Sequence, residues 1–366
     1  MIHLTTLLAE SKLKLNIPSD IKKIYKLFKL NGKQLFIVGG AVRDAILGKA
    51  PKDFDLATDA LPDEVLRIAK QGGFKSVEVG KSYGVVIVGG HEIATFRKDV
   101  GKGRRPDAVD FTDIKGDVMR RDLTINALFY DMSRGEIVDL VGGIKDLKKK
   151  KIRTVGDPEE RFDEDPLRKL RAVRFAGSVG GKMSKDTWNA LKKNPDISGV
   201  SAERVRDEFI KGVTKAKNVP NYFKMLYKLG MFKQIFPGMR VNLKFVKTND
   251  YIVQIANLLQ IEGYEKVQSK LSSLKYTIQE IRDIVHLLKL YNFVPNDIIT
   301  IKKEQQNTKL KPKQVKQWAS IVGKQILKVW NFKLSVSSKE AMAKGLKGKD
   351  IGDYIKNQEI ELFKAS

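Results

Sequence analysis

Asp53 and Asp55 flank Phe54 in the stretch KAPKDFDLAT. On a strand, residues two apart point to one face, so both carboxylates converge while Phe54 turns to the core. Adjacent carboxylates repel unless a cation lies between them, and hard oxygen donors suit Mg²⁺. Just upstream runs LFIVGGAVRDAILG. The apolar, β-branched LFIV predicts a buried strand and Gly39-Gly40 a turn. AVRDAILG predicts a helix with Ala41, Val42, Ala45 and Ile46 on one side. Free N–H groups and partial positive charge at that helix start suit a phosphate. The glycines let the backbone approach it, and Arg43 adds a forked charged donor. A phosphate cradle beside a carboxylate pair suits nucleotidyl transfer.

Further candidates follow along the chain. Glu92, just after the turn Gly89-Gly90, is expected on a strand beside the aspartates. There it can join the metal or take a proton from an attacking hydroxyl. Arg121 can neutralise a triphosphate, and Asp122 or Asn126 can hydrogen-bond a ribose hydroxyl. Glu164-Asp165-Pro166 reads as a helix start, with Asp165 as N-cap and Pro166 in the first turn. Arg168, Arg171 and Arg174 follow at three-residue spacing, near one helix face. Asp165 and Arg168 together can read a base edge. Cytosine and adenine each show an amine beside a ring-nitrogen acceptor, which a carboxylate and a guanidinium match. Guanine and uracil reverse that pattern, so the pair accepts C and A and refuses G and U without a template. In VDLVGGIKDL, Gly142-Gly143 is expected to turn, with Asp139 and Asp146 as structural caps.

These residues need elements to hold them. The chain has 366 residues, enough for two or three domains. A +26 net charge, from 69 Lys and Arg against 43 Asp and Glu, points to a polyanion, most simply nucleic acid. No apolar run reaches the roughly 18–20 residues of a membrane span, and the start lacks a secretory pattern. With no Cys, disulfides, thiolate metal sites and Cys nucleophiles are excluded. The three His (His3, His91, His286) are scattered, and cytoplasmic residence is expected. Residues 1–30 read as helical. From 35 to about 145 strands and helices alternate. LPDEVLRIAK starts a helix at Pro62, and GVVIVGGHEIATFR makes two strands around Gly89-Gly90. Beyond about 150 amphipathic helices dominate, as in TIQEIRDIVHLLKLY with a Thr277–Glu280 capping box. Residues 301–366 carry 15 Lys or Arg against 6 Asp or Glu, with Trp318, Trp330 and Phe332 interleaved, which favours RNA contact.

VGGAVRD…DFDLAT resembles the opening motif of the class II nucleotidyltransferases, the tRNA CCA-adding enzymes and bacterial poly(A) polymerases. RRDLTINALFYD (Arg120–Asp131), VDLVGGIKDL (Val138–Leu147) and VSAERVRDEF (Val200–Phe209) resemble further family motifs in the same order. FDEDPLRKLRAVRFA (Phe162–Ala176) resembles the nucleotide-selecting motif, and GLKGKDIG (Gly345–Gly352) a piece often found near the C-terminus. VEVGKSYGVVIVGG is similar to the CCA-adding form. The resemblance implies an α/β catalytic head with a small mixed sheet over 1–150. A helical neck over 151–225, a body over 226–300 and a basic tRNA-binding tail over 301–366 would follow. It also implies template-independent addition of C, C and A to the tRNA 3′ end from CTP and ATP. Asp53 and Asp55 would hold Mg²⁺, with Glu92 beside them. Gly39, Gly40, Arg43, Arg121, Asp122, Asn126, Asp165, Arg168, Arg171 and Arg174 would bind the nucleotide. The segment RKDVGKGRRPDAVDF departs from the family: it is shorter, with Lys102 where many members have an acid. That loop helps the switch from C to A. CC-only or A-only addition, poly(A) synthesis and non-catalytic RNA binding therefore stay open as alternatives. No phosphohydrolase activity is expected, because the His-Asp pair of such a domain is missing.

Overall fold

The computed structural model describes residues 12–80, 83–101 and 108–366. His3, residues 1–11 of the helix expected over 1–30, and Lys102 lie outside the described residues; residues 12–18 are not helical, Lys12 bridging to Glu136, and the helix begins only at Ser19. The chain divides into two compact units, Met1–Gly199 and Val200–Ser366.

The first unit is built on a mixed sheet of seven strands. In chain order these are β1 (Leu35–Val38), β2 (Asp55–Thr58), β3 (Ser76–Gly80), β4 (Val85–Val88) and β5 (His91–Thr95). A hairpin of β6 (Arg97–Val100) and β7 (Ala108–Phe111) stands apart from the sheet, and β8 (Phe129–Asp131) and β9 (Glu136–Val138) complete it. The spatial order is β3-β4-β5-β2-β1-β8-β9. Every pairing is antiparallel except β2 with β5. Side-chain alternation sorts the strands into two cores. Leu35, Ile37, Leu56, Val86, Val88 and Ile93 pack with helices α1 (Ser19–Leu30), α2 (Gly40–Ile46) and α3 (Pro62–Gln71). Phe36, Val38, Ala57, Phe96 and Phe129 fill the other face, their rings 6.0–6.2 Å apart. LFIV is thus buried on both faces, which is why it carries no polar alternation. One boundary departs from expectation. Asp53 and Phe54 precede β2, which begins at Asp55, so the carboxylate pair sits at a strand entry and only Asp55 belongs to the sheet. Phe54 does pack on the α1-side core.

Helix α4 (Ile114–Met119) lies in sequence between β7 and β8, and α5 (Gly143–Lys148) follows β9. A two-residue parallel pair then joins β10 (Lys151–Ile152) to β11 (Lys182–Met183), a small strand contribution beyond 150 that the helical pattern hides. Helices α6 (Pro158–Glu164) and α7 (Leu167–Val179) lie between these strands, and α8 (Lys185–Lys193) follows.

In the second unit every regular element is helical. The helix Ile278–Tyr291 starts with the expected capping box of Thr277 and Glu280. Of the three aromatics expected to favour RNA contact, only Trp318 is withdrawn from solvent, while Trp330 and Phe332 are half-buried. Trp318 is fully buried, and its indole N–H donates to the Leu287 carbonyl at 2.7 Å. Trp330 packs edge-on to His286 at 6.0 Å and Phe332 on Phe363 at 5.3 Å. Helical spacing places Trp318 with Val315 and Ala319 on one buried stripe, which removes it from solvent. No helix among the described residues is long and apolar enough to cross a membrane.

Candidate active site

The site forms where β1 ends, on the sheet face that carries Val38 and Phe129. Gly39 takes φ +67°, a conformation that side chains with Cβ rarely adopt. A Cβ there would lie 3.5 Å from Arg121 Nη1 and 3.7 Å from the Asn126 carbonyl oxygen. Both are ordinary contact distances, so it is the positive φ of the turn, not lack of space, that calls for glycine at Gly39. Gly40 opens α2, and Arg43 follows one turn on. Arg43 Nη1 donates to Asn126 Oδ1 at 2.7 Å, and its Nε and Nη2 reach Asp44 Oδ1 at 2.9 and 2.8 Å. Its guanidinium carbon is 5.1 Å from the centroid of Phe175 on α7.

Asp55 pairs with Val38 across β1 and β2. The parallel register Leu56↔Ile93 sets Glu92 beside Asp55, both on the face opposite Ile93. More than a third of Asp55 is open to solvent, yet enough protein surrounds its carboxyl that desolvation pushes its pKa up. The nearby Arg121 charge pulls it back, and Asp53 pushes it up again. The two aspartates thus sense each other, as two-residue spacing requires. No trio of His, Asp or Glu gathers into a metal-ligand set among the described residues, so Glu92 does not close a three-carboxylate cluster.

Arg121 is held by a residue that the sequence reading passed over. Asp117 on α4 is 1% exposed. Its Oδ2 accepts from Arg121 Nε and Nη2 at 3.2 and 2.9 Å, and its Oδ1 from Arg120 Nε at 2.8 Å. Desolvation is the largest influence on Asp117 and raises its pKa, but Arg121 and Arg120 together outweigh it and hold the group low. The spacing i, i+3 and i, i+4 from an acid to two arginines was the available signal. Arg121 also lies 4.6 Å from the Phe129 ring centroid.

Asp122 and Asn126 connect this cluster to α7. Asp122 Oδ2 accepts from Arg171 Nε and Nη2, each at 2.7 Å. Its Oδ1 accepts from the Leu123 N–H at 2.8 Å and Asn126 Nδ2 at 3.2 Å. Desolvation would raise Asp122, yet Arg171 and these hydrogen bonds keep its pKa below the ordinary carboxylate value. A continuous chain results: Arg43 to Asn126, Asn126 to Asp122, Arg171 to Asp122.

Asp165 and Arg168 stand at the start of α7, but they are anchored separately. Asp165 is not the N-cap expected: it ends α6, Pro166 is the N-cap of α7, and buried Asp165 accepts the Leu167 N–H on Oδ1 at 3.1 Å from one residue further back. Arg168 donates to Glu164 Oε2 at 2.5 Å and to the Arg120 carbonyl at 3.0 Å. Of the three arginines expected near one face, Arg171 and Arg174 both lie over the Phe175 ring, at 5.7 and 4.0 Å. Arg168 and Arg171 reach residues 120 and 122, while Arg174 is buried. Asp139 caps α5, accepting from Gly143 N–H at 2.9 Å and Ile144 N–H at 2.8 Å. Asp146 accepts from Thr124 Oγ1 at 2.7 Å and Arg153 Nε at 2.8 Å. Both are structural.

Comparison with known proteins adds to this geometry. A family model described as "Poly A polymerase head domain" matches residues 35–153. A second, described as "Probable RNA and SrmB- binding site of polymerase A", matches residues 181–243. The CCA-adding enzyme of Pediococcus pentosaceus is 35% identical over 306 residues, covering 80% of this chain and 74% of that protein. The chain spans about half the length of the other curated CCA-adding enzymes it matches first. The structure of the Bacillus stearothermophilus CCA-adding enzyme in complex with CTP superposes with a TM-score of 0.66 at 24% identity, covering 95% of this chain and 93% of that one. The Thermotoga maritima CCA-adding enzyme complexed with tRNA gives 0.67 at 21% identity, covering 96% and 93%. Those two likenesses carry the fold alone. The sequence match over 74% of a 35%-identical relative carries more: the chain belongs to the family of CCA-adding enzymes.

Proposed function

We propose that the protein is a template-independent nucleotidyltransferase that adds C, C and A to the 3′ end of tRNA from CTP and ATP, in the cytoplasm. The observation that carries this reading is the Asp53–Asp55 pair beside Arg121, tied through Asp122 to Arg171 on α7. The RNA 3′ oxygen attacks the α phosphorus of the nucleotide, the bond to the bridging oxygen breaks, and pyrophosphate leaves. Arg121 and Arg43 bind and neutralise the phosphates at the Gly39-Gly40 turn. Glu92, one strand over from Asp55, takes the hydroxyl proton. Asp122 and Asn126 orient the ribose while Arg171 holds Asp122.

A divalent cation fits Asp53 and Asp55. Desolvation, with the neighbouring Asp53 charge, raises Asp55, and no third protein ligand closes the set among the described residues, which leaves positions for phosphate oxygens. We assign it as Mg²⁺; when bound it supplies charge stabilisation to the pentavalent phosphorus. Asp165 and Arg168 read the base once each exchanges its present partner for the base edge. The neck, body and tail boundaries at about 151, 226 and 301 follow from the same reading.

Incorporation of each NTP, alone and in mixtures, on tRNA lacking one to three terminal nucleotides tests this proposal. Addition of CTP twice and then ATP supports it; no incorporation of any nucleotide would sink it. The base-reading role has its own test. In a folded Asp165→Ala variant, CTP and ATP preference over GTP and UTP is expected to fall roughly hundredfold, by loss of the charged acceptor. Retained preference assigns Asp165 to anchoring the start of α7 only.

A further inference from the structure

We propose that the first unit carries a second anion site, a lysine groove that holds the phosphodiester backbone of the substrate RNA. This rests on the reading that RNA is the substrate. The groove, about 460 Å³, lies where β10 pairs with β11 and is lined by Lys149, Lys150, Lys151, Lys182 and Lys185. All five are exposed. No carboxylate lines it, and none of the five makes an ion pair with a described residue. Met183 is the one apolar side chain in the lining, so the groove has nothing to insert into a lipid surface.

Three of these lysines break a local rule. Lys150 has φ +51°, a left-handed position just past α5 where Gly is cheaper by about 1 kcal/mol. Lys151 stands directly opposite Lys182 in the parallel pair, a like-charge arrangement that repels. Lys185 is the first residue of α8, at the end of the helix where a cation is disfavoured. The C-terminus of α5 accounts for cations at Lys148, Lys149 and Lys150, whose N–H bonds the Leu147 carbonyl, but not at Lys151 or Lys185. The backbone is nevertheless closed tightly: a Cβ at Gly181 would collide with the Lys150 carbonyl oxygen, so glycine lets the two lysine segments meet. Local losses with no internal gain point to an external anion.

Position separates this groove from the nucleotide base. Helix α7 runs 13 residues from the Asp165 end to Gly180, about 20 Å at 1.5 Å per residue. That length separates the groove from the base-reading end of α7; the phosphate-binding Arg43 lies nearer, against Phe175. One wall of the groove, Lys182 to Lys185, also opens the segment that matches the RNA-binding family model.

The test compares wild type with a variant carrying Lys149→Gln, Lys150→Gly, Lys151→Gln, Lys182→Gln and Lys185→Gln. Fluorescence anisotropy with tRNA lacking its last three nucleotides is read between about 50 and 200 mM salt. Affinity is expected to fall at least about tenfold at the low end, with a log–log salt slope shallower by about 3. CTP binding by calorimetry stays unchanged. Lys150→Gly alone distinguishes binding from structure: its Tm holds or rises while tRNA affinity falls. An unchanged slope in the folded five-site variant overturns the proposal. So does lost binding to vesicles of anionic phospholipid with tRNA affinity intact. If affinity differs but neither protein transfers nucleotides, the groove stands and the assigned reaction falls. If transfer persists with equal affinity, the groove falls and the reaction stands.

Discussion

Asp53→Ala and Asp55→Ala are each expected to lower nucleotide incorporation by at least about a thousandfold, or about 4 kcal/mol of transition-state stabilisation. Far-UV circular dichroism and tRNA affinity should stay close to wild type, because both residues stand exposed at a strand entry rather than in a core. The subtler expectation concerns stability. Desolvation and the neighbouring Asp53 raise the Asp55 pKa above its unfolded value. A carboxyl shifted upward is disfavoured in its charged form by folding, so at neutral pH ionised Asp55 destabilises the fold. Asp55→Asn should therefore be inactive yet melt at or above the wild-type temperature at pH 7. That gap should close as the pH is lowered through the carboxylate range. A variant that keeps full activity, or one that is inactive and melts well below wild type, would remove Asp55 from the reacting site.

The second large effect is expected at the Asp122–Arg171 pair. Arg171→Met strips both 2.7 Å bonds from a carboxylate that is only 9% exposed. Breaking a buried ion pair from one side costs about 3 kcal/mol, about 9 °C in a unit of this size. The pH dependence follows from the sign of the shift. In wild type the folded pKa of Asp122 is depressed, so its stabilisation is present above the unfolded value and lost only as pH falls through the lower folded value. Without Arg171, desolvation dominates and Asp122 shifts upward. The variant should then regain stability as the pH falls into the carboxylate range, and the two melting curves should approach each other. Calorimetric scans at several pH values measure this. Curves that stay parallel across the range would show that Arg171 does not neutralise Asp122.

Much of this was legible in the residues, for reasons that lie in local periodicity. LFIV, the hairpin around Gly89-Gly90, the Pro62 helix start and the Thr277–Glu280 box all depend on neighbours within a few positions, and all are present. What was not legible depends on distant partners. The strand entry at Asp55 follows from where β1 stops offering hydrogen bonds, and Asp53 falls outside that pairing. Arg171 lies 49 positions from the carboxylate it binds, so its face could be read but not its partner. Asp117 was within reach of the helical spacing rule and went unread. Trp318 shows the opposite error: its mixture with lysines suggested RNA contact, while Val315, Trp318 and Ala319 already formed a buried stripe.

The bonds running from Arg43 through Asn126 and Asp122 to Arg171 tie the site's side chains to one another. An arriving triphosphate meets arginines that already have acceptors, so association substitutes one set of polar contacts for another. Few side-chain rotors are left to freeze, and the heat released is the small difference between old contacts and new. Such a site recognises its ligand through the quality of the replacement bonds. A base or sugar that fits poorly therefore leaves quickly, and discrimination resides in residence time more than in the rate of arrival.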